Sequence, residues 1–147
     1  MRESELPDPA VLVLISEDFF WEKVEGTLRA LARRPVRPEP GSSAARLRES
    51  LAEMRPVALV ADLEDEDLPV LEILAVLREE EAGGGLPVLG YCSHQRRDLQ
   101  QAAEGLGAQV VPRSTFAANL VRLLMELTGG PPVAPGGASP AGEDAAG

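Results

Sequence analysis

The sequence predicts an α/β fold, a five-stranded parallel sheet doubly wound by helices on both faces, and two observations carry this prediction. Between Ala10 and Thr128, short apolar runs alternate five times with segments whose apolar residues recur every three or four positions. The apolar runs have almost no polar interruption, as expected for strands buried on both faces. Five such βα units imply parallel neighbours, because each return to the sheet needs a crossover helix.

The first βα unit and a possible edge strand lie before position 41. Ala10–Ile15 is the first buried strand, and Ser16 or Asp18 can cap the helix that follows it. The prolines of Pro35–Pro40 cannot donate hydrogen bonds to a ladder, so a second strand there is expected only at an edge of the sheet. The apolar stripe of the first helix is Phe20, Val24, Leu28 and Leu31.

The middle of the chain predicts two helices and a second strongly buried strand. Ser42 and Ser43 open the second helix, and Val57–Ala61 is the third strand. A glycine run, Gly83–Gly85, ends the third helix, because glycine readily adopts the left-handed conformation common at helix ends. The stripes of these helices are Leu47, Leu51 and Met54 in the second and Val70, Ile73, Leu74 and Leu77 in the third.

The last two units follow the glycine run. Leu86–Cys92 is the fourth strand and Ala108–Pro112 is a shorter fifth strand. The fourth helix is marked by Leu99, Ala102, Ala103 and Leu106, and the last helix by Phe116, Leu120, Leu123, Leu124 and Leu127. Open parallel sheets bind ligands beyond the carboxyl ends of their strands, where the strand order reverses. Asp62 ends the third strand and is therefore the first candidate functional residue.

Composition excludes several classes of function. The 147 residues suffice for one domain but not for two of ordinary size, and a net charge of -10 would repel a nucleic-acid backbone. One cysteine, Cys92, and one histidine, His94, cannot supply the three or four ligands of a zinc site. We therefore expect no nucleic-acid partner and no zinc, and any bound metal would have to be held by carboxylates.

The two ends of the chain are expected to lie outside the domain, which spans residues 10–128. Residues 1–9 are charged and contain prolines, which predicts a loose leader, and residues 129–147 are mostly Gly, Pro, Ala and Ser, which predicts a disordered tail. No signal peptide and no bilayer-spanning apolar run is visible, and one cysteine suits a reducing compartment. These features predict a cytoplasmic protein with no membrane partner.

Residues 10–127 resemble one known family. The resemblance is carried by RPVALVADL, which contains Asp62 at the end of its apolar run, by LPVLGYCS, GLGA and PRSTF, and by five βα units of matching length. These features are similar to the receiver domains of bacterial two-component response regulators, here in an atypical, degenerate form, a pseudo-receiver. The resemblance implies the flavodoxin-like receiver fold and a part in phosphorelay signalling, with no enzymatic activity expected of this chain.

The family's chemistry is phosphoryl transfer to an aspartate, and the resemblance assigns the phosphoacceptor position to Asp62. Two acids at the end of the first strand hold Mg²⁺ beside the acceptor, because a carboxylate nucleophile needs a cation to neutralise the incoming oxygens. A hydroxyl after the fourth strand and a lysine after the fifth strand bind phosphoryl oxygens. Of these groups, only the acceptor has a good match in this sequence.

The acid pair of the phosphorylation pocket is missing from its expected place. Ile15 and Ser16 occupy those two positions when the first helix is aligned by its apolar stripe. Glu17 and Asp18 follow directly, and a slipped alignment would bring Glu17 closer to the acceptor. The expected pocket therefore lacks both carboxylates that would hold Mg²⁺.

The remaining pocket positions also depart from the family. Cys92 takes the hydroxyl position, with Ser93 beside it, and a thiol is a weaker hydrogen-bond donor than a hydroxyl. The lysine position falls on Arg113 if one residue is deleted after Ala108, and otherwise on Ser114; the planar guanidinium is no simple substitute for a lysine. The acid run Glu64–Asp67 adds negative charge where a phosphoryl group would sit.

These departures favour a stand-alone signalling module that acts by protein–protein interaction, without phosphorylation and without a cofactor. Its partner would be another signalling protein, either a histidine kinase or an effector. The resemblance implies contact through the fourth and fifth helices, with Gln95–Gly105 and Thr115–Thr128 contributing, and the same face could form a homodimer.

Two alternatives belong to other classes of function. In the first, Asp62 is phosphorylated by a histidine kinase, and Glu17 or Asp18 together with Glu64 completes a Mg²⁺ shell. In the second, the sheet binds a nucleotide or a flavin. This second alternative is disfavoured because ISEDFF, which follows the first strand, contains no glycine for a phosphate-binding loop.

Overall fold

A computed structural model describes residues 8–79 and 85–129. Its elements in chain order are β1 (Ala10–Leu14), α1 (Asp18–Ala30), β2 (Arg34–Val36), α2 (Ala44–Met54), β3 (Ala58–Asp62), α3 (Val70–Glu79), β4 (Val88–Cys92), α4 (Arg97–Gly105), β5 (Gln109–Pro112), α5 (Arg113–Ala118) and α6 (Leu120–Thr128). Most of the predicted leader, of the predicted tail and of the glycine run lies outside the described residues, so those interpretations remain predictions.

The five strands form one parallel sheet in the order β2-β1-β3-β4-β5, which confirms the predicted fold class. The chain moves outward from β1 to β2 and then crosses back to β3 on the other side of β1. The strand order therefore reverses between β1 and β3. The carboxyl ends of these two strands carry Ser16 and Asp62, which places both residues at the position where such sheets bind ligands.

Each face of the sheet is covered by its own apolar layer. Alternate residues of β1 point to opposite faces, so Val11 and Val13 pack with α1 and the last two helices, whereas Leu12 and Leu14 pack with α2, α3 and α4. The first layer includes Val24, Leu28, Phe116, Leu123 and Leu124, and the second includes Leu47, Leu51, Ile73, Leu74 and Ala103. Apart from Ala102, the helical stripes seen in the sequence therefore lie in these two layers as predicted.

The start of α1 differs from the prediction. Glu17 caps the helix, because its carboxylate accepts hydrogen bonds from the backbone N–H groups of Phe19 and Phe20 at 2.8 and 2.9 Å. Neither predicted cap takes this role: the Ser16 hydroxyl donates to Asp65, and the Asp18 carboxylate accepts from Arg37. The capping prediction was wrong because long-range partners bind both candidate side chains.

The last predicted helix is two helices separated at Asn119. This residue has φ −122° and ψ 29°, outside helical geometry, and its side-chain N–H group donates to the Thr115 carbonyl at 3.1 Å. The apolar stripe continues across the break, with Phe116 on α5 and Leu123 and Leu124 on α6 all buried. The prediction of the buried stripe is therefore confirmed, and the prediction of one continuous helix is wrong.

Several boundaries also shift by a residue or more. The edge strand β2 begins at Arg34 rather than Pro35, and it lies at the edge of the sheet as its prolines predict. The third strand ends at Asp62 itself, and Val57, which precedes the strand, is 39% exposed. On α4, Ala102 is exposed and Ala103 is the buried residue.

Gly90, in the middle of β4, lies close to the side chain of Leu63. A methyl group at this position would lie 3.0 Å from Leu63 Cδ2, and Leu63 is itself buried. We expect Gly90→Ala to lower the free energy of unfolding by about 1 kcal/mol, because the Leu63 side chain must shift. Urea denaturation measures the change.

The matched control for this prediction is Gly26→Ala. Gly26 lies within α1 and has open space around the added methyl group. The control should raise the free energy of unfolding by about 0.5–1 kcal/mol, because alanine is the better helix former. Equal effects of the same sign in the two variants would contradict the packing argument.

Candidate functional site

An acidic cleft lies at the carboxyl ends of β1 and β3, where the strand order reverses. Its lining consists of Ser16, Glu17, Asp62, Glu64, Asp65, Glu66 and Asp67. Asp62 stands at the end of β3, and the acid run that follows forms the loop to α3. The structure thus brings the predicted acceptor residue and the acid run into one cleft.

Asp62 is half-buried, and its environment disfavours the charged carboxylate. One carboxylate oxygen accepts a hydrogen bond from the Glu64 backbone N–H at 2.9 Å. The pKa of Asp62 is raised to about 6: burial is the largest cause, the charges of Asp65 and Glu64 add to it, and the Glu64 N–H bond and the Arg113 cation oppose it. Asp62 is therefore still mostly ionised at neutral pH, but ionisation costs stability.

The end of β1 is held by Asp65, a residue that was seen in the sequence only as part of an acid run. Its two carboxylate oxygens accept from the Ser16 backbone N–H at 2.6 Å and from the Ser16 hydroxyl at 3.1 Å. The same side chain accepts from the Asp67 backbone N–H at 2.8 Å. Asp65 therefore joins the loop after β3 to the end of β1.

Ile15, the other residue at the expected acid-pair position, is fully buried in the apolar layer.

The two acids considered as replacement Mg²⁺ ligands are engaged elsewhere. Glu17 caps α1 through both of its carboxylate oxygens, and Asp18 forms an ion pair with Arg37 at 2.8 Å. Within residues 8–79 and 85–129, no group of three or more His, Cys, Asp or Glu side chains is arranged to hold a metal ion. The described acids do not therefore form a ready coordination shell.

Arg37 binds several groups at the end of β1, on this side of the cleft. The sequence did not predict these contacts. Its guanidinium donates to the Ile15 carbonyl at 3.2 Å and to the Ser16 carbonyl at 2.7 Å, besides pairing with Asp18. The guanidinium also lies over the Trp21 ring, 5.0 Å from its centroid. The proline-rich stretch around Arg37 indicated only an edge strand, so nothing in the local pattern pointed to these contacts.

A second group of contacts closes the opposite side of the cleft. A single Glu64 carboxylate oxygen accepts from the Ser93 backbone N–H at 2.6 Å and from the Arg113 guanidinium at 2.7 Å. Arg113 is the first residue of α5, one position beyond β5, and Ser114 lines a neighbouring hollow instead. Of the two candidates for the lysine position, Arg113 is thus the one that reaches the cleft.

Cys92 and Tyr91 at the end of β4 are core residues. Cys92 is buried, its Sγ lies 3.8 Å from the Arg96 carbonyl oxygen, and burial raises the pKa of its thiol. The Tyr91 ring stacks on Phe116 at 4.3 Å and packs against Phe20 at 5.2 Å. Burial, with a smaller contribution from nearby Asp62, raises the pKa of Tyr91 well above its usual range. Cys92 therefore fits the interpretation as a small core residue better than that of a redox sensor.

The face predicted to contact a partner is built from α4, β5, α5 and α6. This face carries an exposed ion pair between Arg96 and Asp98 and another between Arg122 and Glu126. Hydrogen bonding to Arg96 lowers the pKa of Asp98 to about 2. Val121 is the large apolar side chain exposed on this face, with 55% of its surface accessible.

No helix in the described ranges is long and apolar enough to cross a membrane.

No protein-family model matches the sequence, and no curated protein matches it either. Solved structures do match. One is a candidate response regulator from Chloroflexus aurantiacus, with a TM-score of 0.68, 18% identity and coverage of 84% of this chain and 99% of that chain.

Two further structures give the same result. The receiver domain of the sensor histidine kinase PA1611 from Pseudomonas aeruginosa, which holds a magnesium ion in its active-site cleft, matches with a TM-score of 0.66 and 17% identity, covering 83% of this chain and 98% of that one. The chemotaxis protein CheY4 of Vibrio cholerae matches with a TM-score of 0.66 and 13% identity, covering 82% and 98%. Sheet order, helix placement and these likenesses together show that the chain has the fold of response-regulator receiver domains.

Proposed function

We propose that this chain is a receiver-like signalling module that acts by protein–protein interaction and does not depend on phosphorylation of Asp62. One observation carries the proposal: the three acids considered as Mg²⁺ ligands beside Asp62 are already bound to partners within the chain. Glu17 caps α1, Asp18 pairs with Arg37, and Glu64 pairs with Arg113. A divalent cation would have to break these contacts before it could neutralise an incoming phosphoryl group.

The electrostatics of the cleft support the same proposal. Glu64 and Asp65 both oppose negative charge at Asp62, and Arg113, the cation that favours it, is already paired. Phosphorylation of Asp62 would replace the single carboxylate charge by roughly two charges on the phosphoryl group, a net gain of about one negative charge in this cleft. Without a bound cation, the modified protein would therefore be strongly disfavoured.

The partner in this proposal is another signalling protein, a histidine kinase or an effector. The contact face is the surface formed by α4, β5, α5 and α6, which carries two exposed ion pairs and the exposed Val121. Protein interfaces combine apolar contacts with polar groups. The same surface could also pair with a second copy of the chain.

The alternative is a working phosphoacceptor. It is favoured by the position of Asp62 at the end of β3 and by the magnesium ion held in the cleft of the PA1611 receiver domain. In this chain the Mg²⁺ shell would draw on Glu17 or Asp18 and on Glu64, beside Asp62. Phosphoryl transfer then requires these acids to leave their present partners.

Intact-mass spectrometry after incubation with acetyl phosphate and Mg²⁺ distinguishes the two functions. We expect no phosphoryl adduct on the wild-type chain, because the acids that would hold Mg²⁺ are engaged. Asp62→Ala removes the acceptor, and Glu72→Ala is the matched control, since Glu72 is an exposed acid of α3 that does not line the cleft. An adduct that forms on the wild-type chain and on the control but not on Asp62→Ala would establish the alternative.

A further inference from the structure

We propose that Glu64 is an internal anionic ligand that fills an oxyanion-binding site formed by Arg113 and the Ser93 backbone N–H. The two donors come from the ends of different strands and meet on one carboxylate oxygen, at 2.7 and 2.6 Å. Short charge-assisted hydrogen bonds of this kind are stronger than neutral ones. The arrangement is therefore that of an anion site already occupied by a residue of the same chain.

The chemistry of the two donors sets the class of ligand. A guanidinium group and a backbone amide can both donate hydrogen bonds, and neither can accept one, so the site favours an oxyanion over a neutral or cationic group. A carboxylate fills the site here, and a phosphate oxygen offers the same acceptor chemistry.

The backbone around Glu64 is fixed in a way that presents its side chain to the site. The Glu64 N–H donates to Asp62, and the preceding Leu63 is buried and donates its own N–H to the Tyr91 carbonyl at 2.9 Å. The carboxylate is thus tethered next to its donors, which gives it a high effective concentration. A free oxyanion in solution competes poorly against such a ligand.

Removal of the Glu64 carboxylate would open the site to solution. A hollow beside Arg113, lined by Ser93, His94, Pro112, Ser114 and Ala117, gives a free oxyanion a route to the same donors. The Arg113 side chain is 41% exposed and the Glu64 side chain 24% exposed, so both lie near the surface. We therefore expect inorganic phosphate to bind once Glu64 is replaced.

Occupation of the site by Glu64 joins the loops that follow β3, β4 and β5. The loops would then keep one arrangement without any modification, which suits a module that works without phosphorylation. This consequence rests on the proposed function. The anion site itself rests only on the contacts among Glu64, Ser93 and Arg113 and can be tested separately.

Titration with inorganic phosphate, followed by amide NMR at constant ionic strength and without Mg²⁺ or a phosphodonor, tests the site. We expect Glu64→Ala to show a saturable shift of the Ser93 amide, with an affinity at least roughly tenfold above that of the wild-type chain. The double variant Glu64→Ala/Arg113→Ala should lose this binding. Glu66→Ala, which removes an exposed acid of the same loop, should behave like the wild type.

Three results would overturn the proposal: no saturable shift in folded Glu64→Ala, equal binding in the wild type, or equal binding in Glu66→Ala. The last result would indicate a general effect of charge. If Glu64→Ala does not fold, Glu64→Ser, whose side chain is too short to fill the site, takes its place with the same expected order of affinities. Because no phosphodonor is present, the outcome is independent of whether Asp62 can be phosphorylated.

Discussion

Replacement of Arg37 by alanine is expected to lower the free energy of unfolding by about 2–3 kcal/mol. The variant loses the guanidinium stacked on Trp21 and leaves the Ile15 and Ser16 carbonyl oxygens without their side-chain donor. The exposed ion pair with Asp18 adds little, because solvent screens it. Most of the loss therefore comes from the two partly buried carbonyl groups and from the ring contact.

Urea denaturation followed by tryptophan fluorescence measures this effect directly, because Trp21 is the single tryptophan of the chain. The native emission spectrum should also change in Arg37→Ala, since the cation leaves the face of the indole ring. Arg34→Ala, at an exposed position of the edge strand that precedes Arg37, should stay within about 0.5 kcal/mol of the wild type. Equal stability of the two variants would show that Arg37 does not hold the end of β1.

Replacement of Asp62 by asparagine is expected to stabilise the protein by about 1–2 kcal/mol at pH 7.5, after allowance for partial exposure to solvent. Asparagine cannot ionise, and its side-chain oxygen can still accept the hydrogen bond from the Glu64 backbone N–H. The variant therefore keeps the local turn and removes the cost of a half-buried charge.

The pH dependence follows from the raised pKa of Asp62, about 6 in the folded protein against an ordinary value of 3.8. Between these values the folded protein binds more protons than the unfolded chain, so ionisation of Asp62 lowers stability as the pH rises. The advantage of Asp62→Asn should be complete above about pH 6 and vanish near pH 4.

Denaturation curves of the wild type and of Asp62→Asn across this pH window provide the measurement. Glu66→Gln is the matched control, because it removes one negative charge from an exposed position in the same loop. A gain of equal size in the control would assign the effect to the overall charge of the loop. A constant gain from pH 4 to pH 7.5 would contradict the burial of the Asp62 carboxylate.

The succession of strands and helices could be predicted because it depends on local patterns. The apolar runs at Ala10–Leu14 and Val88–Cys92 need neighbours on both faces, and only a covered parallel sheet supplies them. The prolines around Val36 remove ladder donors, which limits β2 to an edge whatever the rest of the chain does. These constraints act within a few residues and can therefore be read without the fold.

The predictions that failed depend on partners that are distant in the sequence. Ser16 and Asp18 are better helix caps than Glu17 by residue type, yet both are bound by side chains from other loops. The break at Asn119 interrupts a stripe that would also suit one continuous helix. Local preference was outweighed in the first case by long-range hydrogen bonds, and in the second the periodicity carried no information about the break.

The sequence by itself determined the fold class, the two apolar layers and the place of Asp62 at the end of a buried strand, because each follows from the periodicity of short segments. Only the tertiary structure decided what surrounds Asp62. The pairs Ser16–Asp65 and Glu64–Arg113 are each separated by 49 residues and meet only after the strands take their order in the sheet. Parallel pairing brings the loops at the carboxyl ends of the strands together, and side-chain reach then selects which charges pair.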